Sequence, residues 1–195
     1  MAAINGDATK VITGKVRLSY AHLFEPFSNN PQQDPKYSCV VLVPKSDKAT
    51  IKKLRRAQQA ALENGKSRVF GGKIPKTWHD TIRDGDEDAD LEVNPEYEGH
   101  LFFSVSSKTR PGLVDRNVEP IVDQEELYSG VFARVSIRAF AYNTQGNRGV
   151  SFGLNHVQKI ADGQHMGGRT SAESDFDPIE DDDDDDYLGE DDGLL

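Results

Sequence analysis

Residues 131–142, VFARVSIRAFAY, constrain the fold of this chain more than any other segment. The odd positions are Val131, Ala133, Val135, Ile137, Ala139 and Ala141. The even positions are Phe132, Arg134, Ser136, Arg138, Phe140 and Tyr142. A period of two belongs to a strand, whose side chains alternate between its faces. One face is small and aliphatic and suits the interior of a curved barrel. The other alternates aromatic rings with guanidinium groups.

The remaining segments extend that reading. Residues 10–20, KVITGKVRLSY, alternate as a half-buried strand, with Val16, Leu18 and Tyr20 on one side and Lys15, Arg17 and Ser19 on the other. Residues 25–36 form a proline-containing loop. Residues 37–43, YSCVVLV, are apolar on both faces, as in a central strand. A helix follows, capped by Ser46 with Asp47 in its first turn, and runs to about Glu63. Ile51, Leu54, Ala57, Ala61 and Leu62 make its apolar stripe, and Asn64-Gly65 ends it. Residues 66–98 read as irregular. Strands are expected at 99–106, 131–142 and 149–157, the last two joined by a turn at Asn143 to Asn147. The pattern predicts a mostly-β fold of about five strands with one added helix and long loops, either a small barrel or a sandwich.

Domain organisation follows composition. Residues 1–160 make one domain, 161–172 a Gly-rich linker and 173–195 a disordered acidic tail. The formal net charge is −10, from 23 Lys+Arg against 33 Asp+Glu. Residues 173–195 hold 13 of those acids and no base. Residues 84–98 hold eight more and no base, which leaves 12 acids against 23 bases elsewhere. The protein is a basic body with two acidic segments. No stretch approaches the ~18 apolar residues of a membrane span, and no secretory signal is visible at the N-terminus. Cys39 is the single cysteine, so no intrachain disulfide and no Cys-rich zinc site is expected. A reducing cytoplasm is the expected compartment.

The basic body suggests a chemistry. Aromatic faces stack on unpaired bases, and arginines between them neutralise phosphates. Phe132, Arg134, Arg138, Phe140 and Tyr142 are therefore candidate DNA-binding residues. Lys15, Arg17, Lys108, Arg110, Arg148 and Phe152 are the basic and aromatic neighbours that join them. The bland alternative is that the aromatics pack under loops and the cations are merely solvated. The tail combines Asp181, Asp182, Asp183, Asp184, Asp185 and Asp186 with Tyr187, Leu194 and Leu195. Acidic charge with a terminal apolar anchor suits docking on a basic-rimmed partner. A tethered tail also acts at about millimolar effective concentration and competes for the body's own cationic surface. Asp84, Asp86, Asp88 and Asp90 alternate like calcium ligands, but the sixth and twelfth places from Asp84 hold Ala89 and Pro95 instead of Gly and Glu. That run reads as a solvated acidic loop, and neither a metal nor another cofactor is expected.

RLSYAHLFEPF (17–27), EYEGHLFFSVSSKTRPGLVD (96–115) and GVFARVSIRAFAYNTQGNRGVSFGLNHVQKI (130–160) resemble, in order, a phage single-stranded DNA-binding protein family once catalogued as a domain of unknown function. The resemblance spans most of residues 10–160. It implies an oligonucleotide-binding barrel with extra elements, encoded by a phage and working in a bacterial host cell. The layout of barrel plus acidic tail is also similar to the T7-type phage and bacterial single-strand binders. In those relatives the tail recruits replication and recombination proteins and gates DNA access. Here the tail ends in Leu194-Leu195, not in the aromatic residue of many such tails.

The sequence is therefore read as a non-enzymatic protein that binds single-stranded DNA with little sequence preference. Duplex binding and self-association stay open. Two rivals make different demands. An acidic DNA-mimic interaction module would leave the body without single-strand affinity, and a metal-dependent nuclease would need the 84–98 acids, Asp86 and Asp88 among them.

Overall fold

The computed structural model describes residues 7–167 and Phe176. In chain order the elements are β1 (Lys10–Ile12), β2 (Val16–Phe27), β3 (Lys36–Pro44), α1 (Lys48–Gly65), β4 (His79–Asp80), β5 (Arg83–Asp84) and α2 (Gly85–Asp88). After them come β6 (His100–Ser107), β7 (Gly112–Val114), β8 (Phe132–Thr144) and β9 (Asn147–Ala161).

The strands close on themselves. β2 pairs antiparallel with β3, and β3 with β6. β6 runs parallel to β9 at Val105 and Ser106. β9 pairs antiparallel with β8, and β8 returns to β2 through Val16↔Ala133 and Arg17↔Phe132. The circuit β2–β3–β6–β9–β8 is an OB-fold-like five-stranded barrel, as the resemblance implies, which decides between the barrel and the sandwich that the alternation leaves open. β1 extends it beside β8, β5 beside β6, and β4 and β7 beside β9.

The interior is built from the alternation. Val131, Ala133, Val135, Ile137 and Ala139 are all buried. They meet Val16 and Leu18 of β2, Val41 and Val43 of β3, Phe103 and Val105 of β6, and Phe152 and Leu154 of β9 in one apolar cluster. Each fully buried side chain of this size contributes roughly 1.5–3 kcal/mol over leaving it in water. Cys39 is buried in β3, and burial pushes its thiol up to about 12, as befits an inert core thiol.

α1 lays Leu54, Ala57, Ala61 and Leu62 on the barrel. Its cap is Asp47, one residue after the expected Ser46. The Asp47 carboxylate accepts from the Thr50 backbone N–H at 3.1 Å and from its hydroxyl at 2.7 Å. Gly65 is the last helical residue, but not because it turns left-handed. A Cβ there would fall 2.7 Å from the Ala141 Cβ of β8, so glycine permits the close helix–strand crossing.

Four expectations change. Residues 10–20 are two strands, because the chain turns at Gly14, whose N–H donates to the Thr50 hydroxyl at 2.9 Å. β2 then continues through Phe27 instead of yielding to a loop at residue 25. The acidic run 84–98 is not a loose loop. Lys45 reaches Asp84 at 2.7 Å and Asp86 at 2.5 Å, and the Gly99 N–H donates to Asp86 at 2.9 Å. Residues 162–166 do not hang free as linker. The Tyr128 hydroxyl donates to Asp162, the Met166 N–H donates to the Ser129 carbonyl, and His165 stacks on Tyr128 with centroids 3.9 Å apart. The tail residues Asp181 to Asp186, Tyr187, Leu194 and Leu195 lie outside the described residues.

Candidate nucleic-acid interface

A bulge in β2 shapes the outer surface of the barrel. Leu18 and Ser19 pair in register with Val41 and Val40, yet His22 is the next partner, opposite Ser38. β2 therefore carries one extra residue at Tyr20–Ala21. Tyr20 takes a positive φ of 46°, an uncommon conformation for a bulky residue. Bulges re-aim side chains, and this one turns Tyr20 outward, 54% exposed, where strict alternation would bury it. A second irregularity between His22 and Phe27 brings Phe27 beside His22, ring centroids 4.3 Å apart and 10° from parallel. Pro26, which has no N–H to donate, falls in that irregular stretch.

These rings stand along an open groove of about 740 Å³ that crosses β2, β3 and β6. Its floor is made of small side chains, Ser38 and Val40 from β3 and Ser104 and Ser106 from β6. Its walls carry Tyr20, His22 and Phe27 with Lys36 and Lys108. Just beyond, the Arg110 guanidinium lies 5.7 Å from the centre of the Phe24 ring. Flat rings beside a shallow floor, with cations at the rim, suit unpaired bases and their phosphates.

Of the candidates read from the sequence, Lys108 lines this groove and Arg110 flanks it. Phe132, Arg134, Arg138, Phe140, Tyr142 and Arg148 do not line it. The alternation of β8 is as expected, with Arg134 and Arg138 outward and Phe140 48% exposed. However, β8 joins β2 on the edge away from β3, so barrel curvature turns its outer face elsewhere. There Arg134 donates to the Thr13 carbonyl at 3.0 Å and Arg138 pairs with Asp7 at 2.9 Å. Phe152 needs the plainest correction. It is 1% exposed and packs against Phe103 with centroids 4.9 Å apart, so it is core and not contact surface.

Lys15, Arg17 and Phe132 form a separate patch. The Lys15 ammonium lies 4.6 Å from the centre of the Phe132 ring and the Arg17 guanidinium 5.4 Å from it. Arg17 also donates to the carbonyls of Gly130 and Gln164. The chain thus runs toward its acidic tail from beside a cationic patch. Next to it Lys159 pairs with Glu126 at 2.7 Å and Asp162 at 2.8 Å. The Lys159 ammonium and the Tyr128 hydroxyl hold the Asp162 carboxyl below the usual carboxylate range.

Tyr20, His22, Phe27 and Lys36 were not singled out from the sequence as contact residues. The signal was present in the aromatic-rich YAHLFEPF, but the bulges that align those rings are not a period-two pattern.

Comparison with known proteins decides the family. The family model described as the ssDNA-binding protein of Enterobacter phage Enc34 matches residues 9–188. The chain belongs to the Enc34 phage ssDNA-binding protein family. Protein p50 of Acyrthosiphon pisum secondary endosymbiont phage 1 is 30% identical over 177 residues, covering 87% of this chain and 94% of that one. The bacteriophage Enc34 ssDNA-binding protein, solved in complex with ssDNA, superposes with a TM-score of 0.69 at 26% identity, covering 82% of this chain and 90% of that one. The bacteriophage T7 single-stranded DNA binding protein gp2.5 shares the fold, with a TM-score of 0.57 at 14% identity over 88% of this chain and 99% of that one. Among the described residues, no helix is long and apolar enough to cross a membrane, and no group of three His, Cys, Asp or Glu is poised to hold a metal. Of the two acids that the nuclease reading singles out, Asp86 has both carboxylate oxygens engaged, one by Lys45 and one by Gly99, and Asp88 accepts from the Asp84 N–H.

Proposed function

We propose that this protein coats single-stranded DNA during phage replication or recombination, without catalysis, and that the strand lies in the β2–β3–β6 groove. The observation that carries the reading is the row of exposed Tyr20, half-buried His22 and exposed Phe27 beside a floor of small side chains and two lysines. Small floor residues let a base lie flat on the sheet while the rings stack against it. Stacking on a ring and attraction of a phosphate do not depend on which base is present, so sequence preference is weak. Family membership and the likeness to a phage protein solved with ssDNA support this assignment.

The acidic tail supplies regulation in this proposal. It follows Gln164, whose carbonyl meets Arg17, competes with DNA for cationic surface and offers its apolar end to replication and recombination partners. Neither the tail's contacts nor any self-association is needed for strand binding itself.

Titration of fluorescent oligo-dT tests the groove. Phe27→Ala and Tyr20→Ala each remove one stacking ring, at about 1–3 kcal/mol per base, which is roughly a fivefold to 150-fold loss of affinity. Tyr20→Phe keeps the ring and holds affinity near that of the unaltered protein. Alanine variants that fold normally and bind oligo-dT undiminished would place the strand elsewhere.

A further inference from the structure

Phe27, Lys36 and residues of the 28–34 loop line one part of the groove, and Tyr20 lines another, where a neighbouring segment crosses the sheet as a wall. The wall is the segment from Asn94 to Tyr97. Tyr97 is buried against Phe102 of β6 with centroids 4.9 Å apart, and its hydroxyl donates to Ser19 of β2 at 3.2 Å. The Tyr20 hydroxyl donates to Asn94 at 3.1 Å. Register fixes where this crossing falls. Ser19 pairs with Val40, and Val40 with Ser104, which are floor residues. The next outward row holds Arg17, Leu42 and Phe102. The segment therefore crosses the barrel directly behind the last floor row. Arg17 and its partner Phe132 lie beyond it.

The wall is firmly seated. β5 pairs with β6, Lys45 clamps Asp84 and Asp86, and a Cβ on Gly85 would fall 2.0 Å from the Tyr97 carbonyl oxygen. It is also charged. Glu87, Glu92, Glu96 and Glu98 have no cation within salt-bridge distance among the described residues, and their carboxylates accept no hydrogen bond there. These glutamates outnumber Arg83, whose guanidinium lies 5.3 Å from the centre of the Phe102 ring, so a phosphate that comes within a Debye length of about 8 Å of them is repelled.

We infer that the Asn94–Tyr97 crossing and its glutamates are the end-stop of the binding groove. They fix how far a bound strand runs. The wall binds nothing itself; it sets the length of the site. This rests on the groove being the strand site.

The test is the full chain with Glu87→Gln, Glu92→Gln, Glu96→Gln and Glu98→Gln together, changes that keep shape and leave Asn94, Tyr97 and the Lys45 clamp intact. Binding is measured to oligo-dT of about 5 and about 20 nucleotides, a range spanning the usual footprint of one OB fold. The nucleotides occluded per protein are measured on poly-dT at several salt concentrations. The expected result is a larger affinity gain on the long strand than on the short one, a longer occluded length, and a salt dependence steeper by about 0.7 for each added phosphate. An equal gain on both lengths with an unchanged occluded length would overturn the end-stop and leave only a net-charge effect. If Tyr20→Ala and Phe27→Ala leave the 5-mer bound as before, it is the groove assignment that fails, independently of the wall.

Discussion

Phe27 and Phe152 are the same residue type on strands of one barrel, yet they have opposite consequences. Phe27 is 50% exposed and lines a groove, so its loss should weaken strand binding and spare the fold. Phe152 is buried against Phe103, and Phe152→Ala leaves a cavity costing about 3–5 kcal/mol. Urea unfolding at neutral pH reads that cost as a lower midpoint. Oligo-dT affinity, measured where the variant is folded, should stay within about twofold of the unaltered protein. A variant with an unchanged midpoint and lost DNA binding would return Phe152 to the contact surface. Tyr20 shows how a single backbone angle decides between such fates. At φ 46° it leaves the inward side of β2, where alternation with Val16 and Leu18 would put it.

At the scale of elements, two joints hold the added pieces to the barrel. α1 meets β8 at Gly65, where helix propensity and packing disagree. Gly→Ala inside a helix normally gains about 1 kcal/mol. Here the new methyl would sit 2.7 Å from Ala141, and overpacking of this kind costs about 1–3 kcal/mol. Gly65→Ala should therefore lower the thermal midpoint; a raised midpoint would show that the helix shifts freely on β8. The second joint is Lys45 with Asp84 and Asp86. Its side-chain hydrogen bonds to Asp84 and Asp86 push Lys45 up to about 12, and the same ammonium holds both carboxyls below their ordinary value of 3.8. The signs differ. The aspartates stabilise the fold above pH 3.8, and this contribution is lost as pH falls through their lowered values. Lys45 stabilises it below pH 10.5, and that contribution is lost as pH rises through about 12. Lys45→Met should flatten the urea midpoint at both extremes, and an unchanged pH profile would mean the clamp contributes nothing.

For the whole molecule, the net charge of −10 misdescribes the surface that DNA meets. Thirteen acids lie in residues 173–195, and the folded body presents cations at the groove rim and at the Lys15–Arg17–Phe132 patch. A chain ending at Gly167 should bind oligo-dT more tightly than the full chain at low salt, because the tethered competitor is gone. The two should converge as salt weakens both the tail and the DNA, with a slope of about −0.7 per phosphate neutralised. Coincident isotherms at low salt would end the gating proposal.

The sequence by itself determined the barrel. Period-two alternation in 131–142 names the inward face of β8 residue by residue, and the apolar run 37–43 marks a central strand, because burial on a pleated strand is a local property. The family likeness was equally legible in three separated segments. The candidate groove was not, since it depends on which strands become neighbours. Tyr20 and Phe27 reach it through bulges, Lys36 comes from β3, and Ser104, Ser106 and Lys108 come from β6 and the loop after it. The aromatic–arginine face of β8 carried the sharper local signal, but closure of the barrel turns it away from the groove. The acidic run 84–98 looks like a solvated loop until Lys45 and Tyr97 pin it across the sheet. Only tertiary contacts place that charge behind the groove, because a charge acts on a strand only from where the fold puts it.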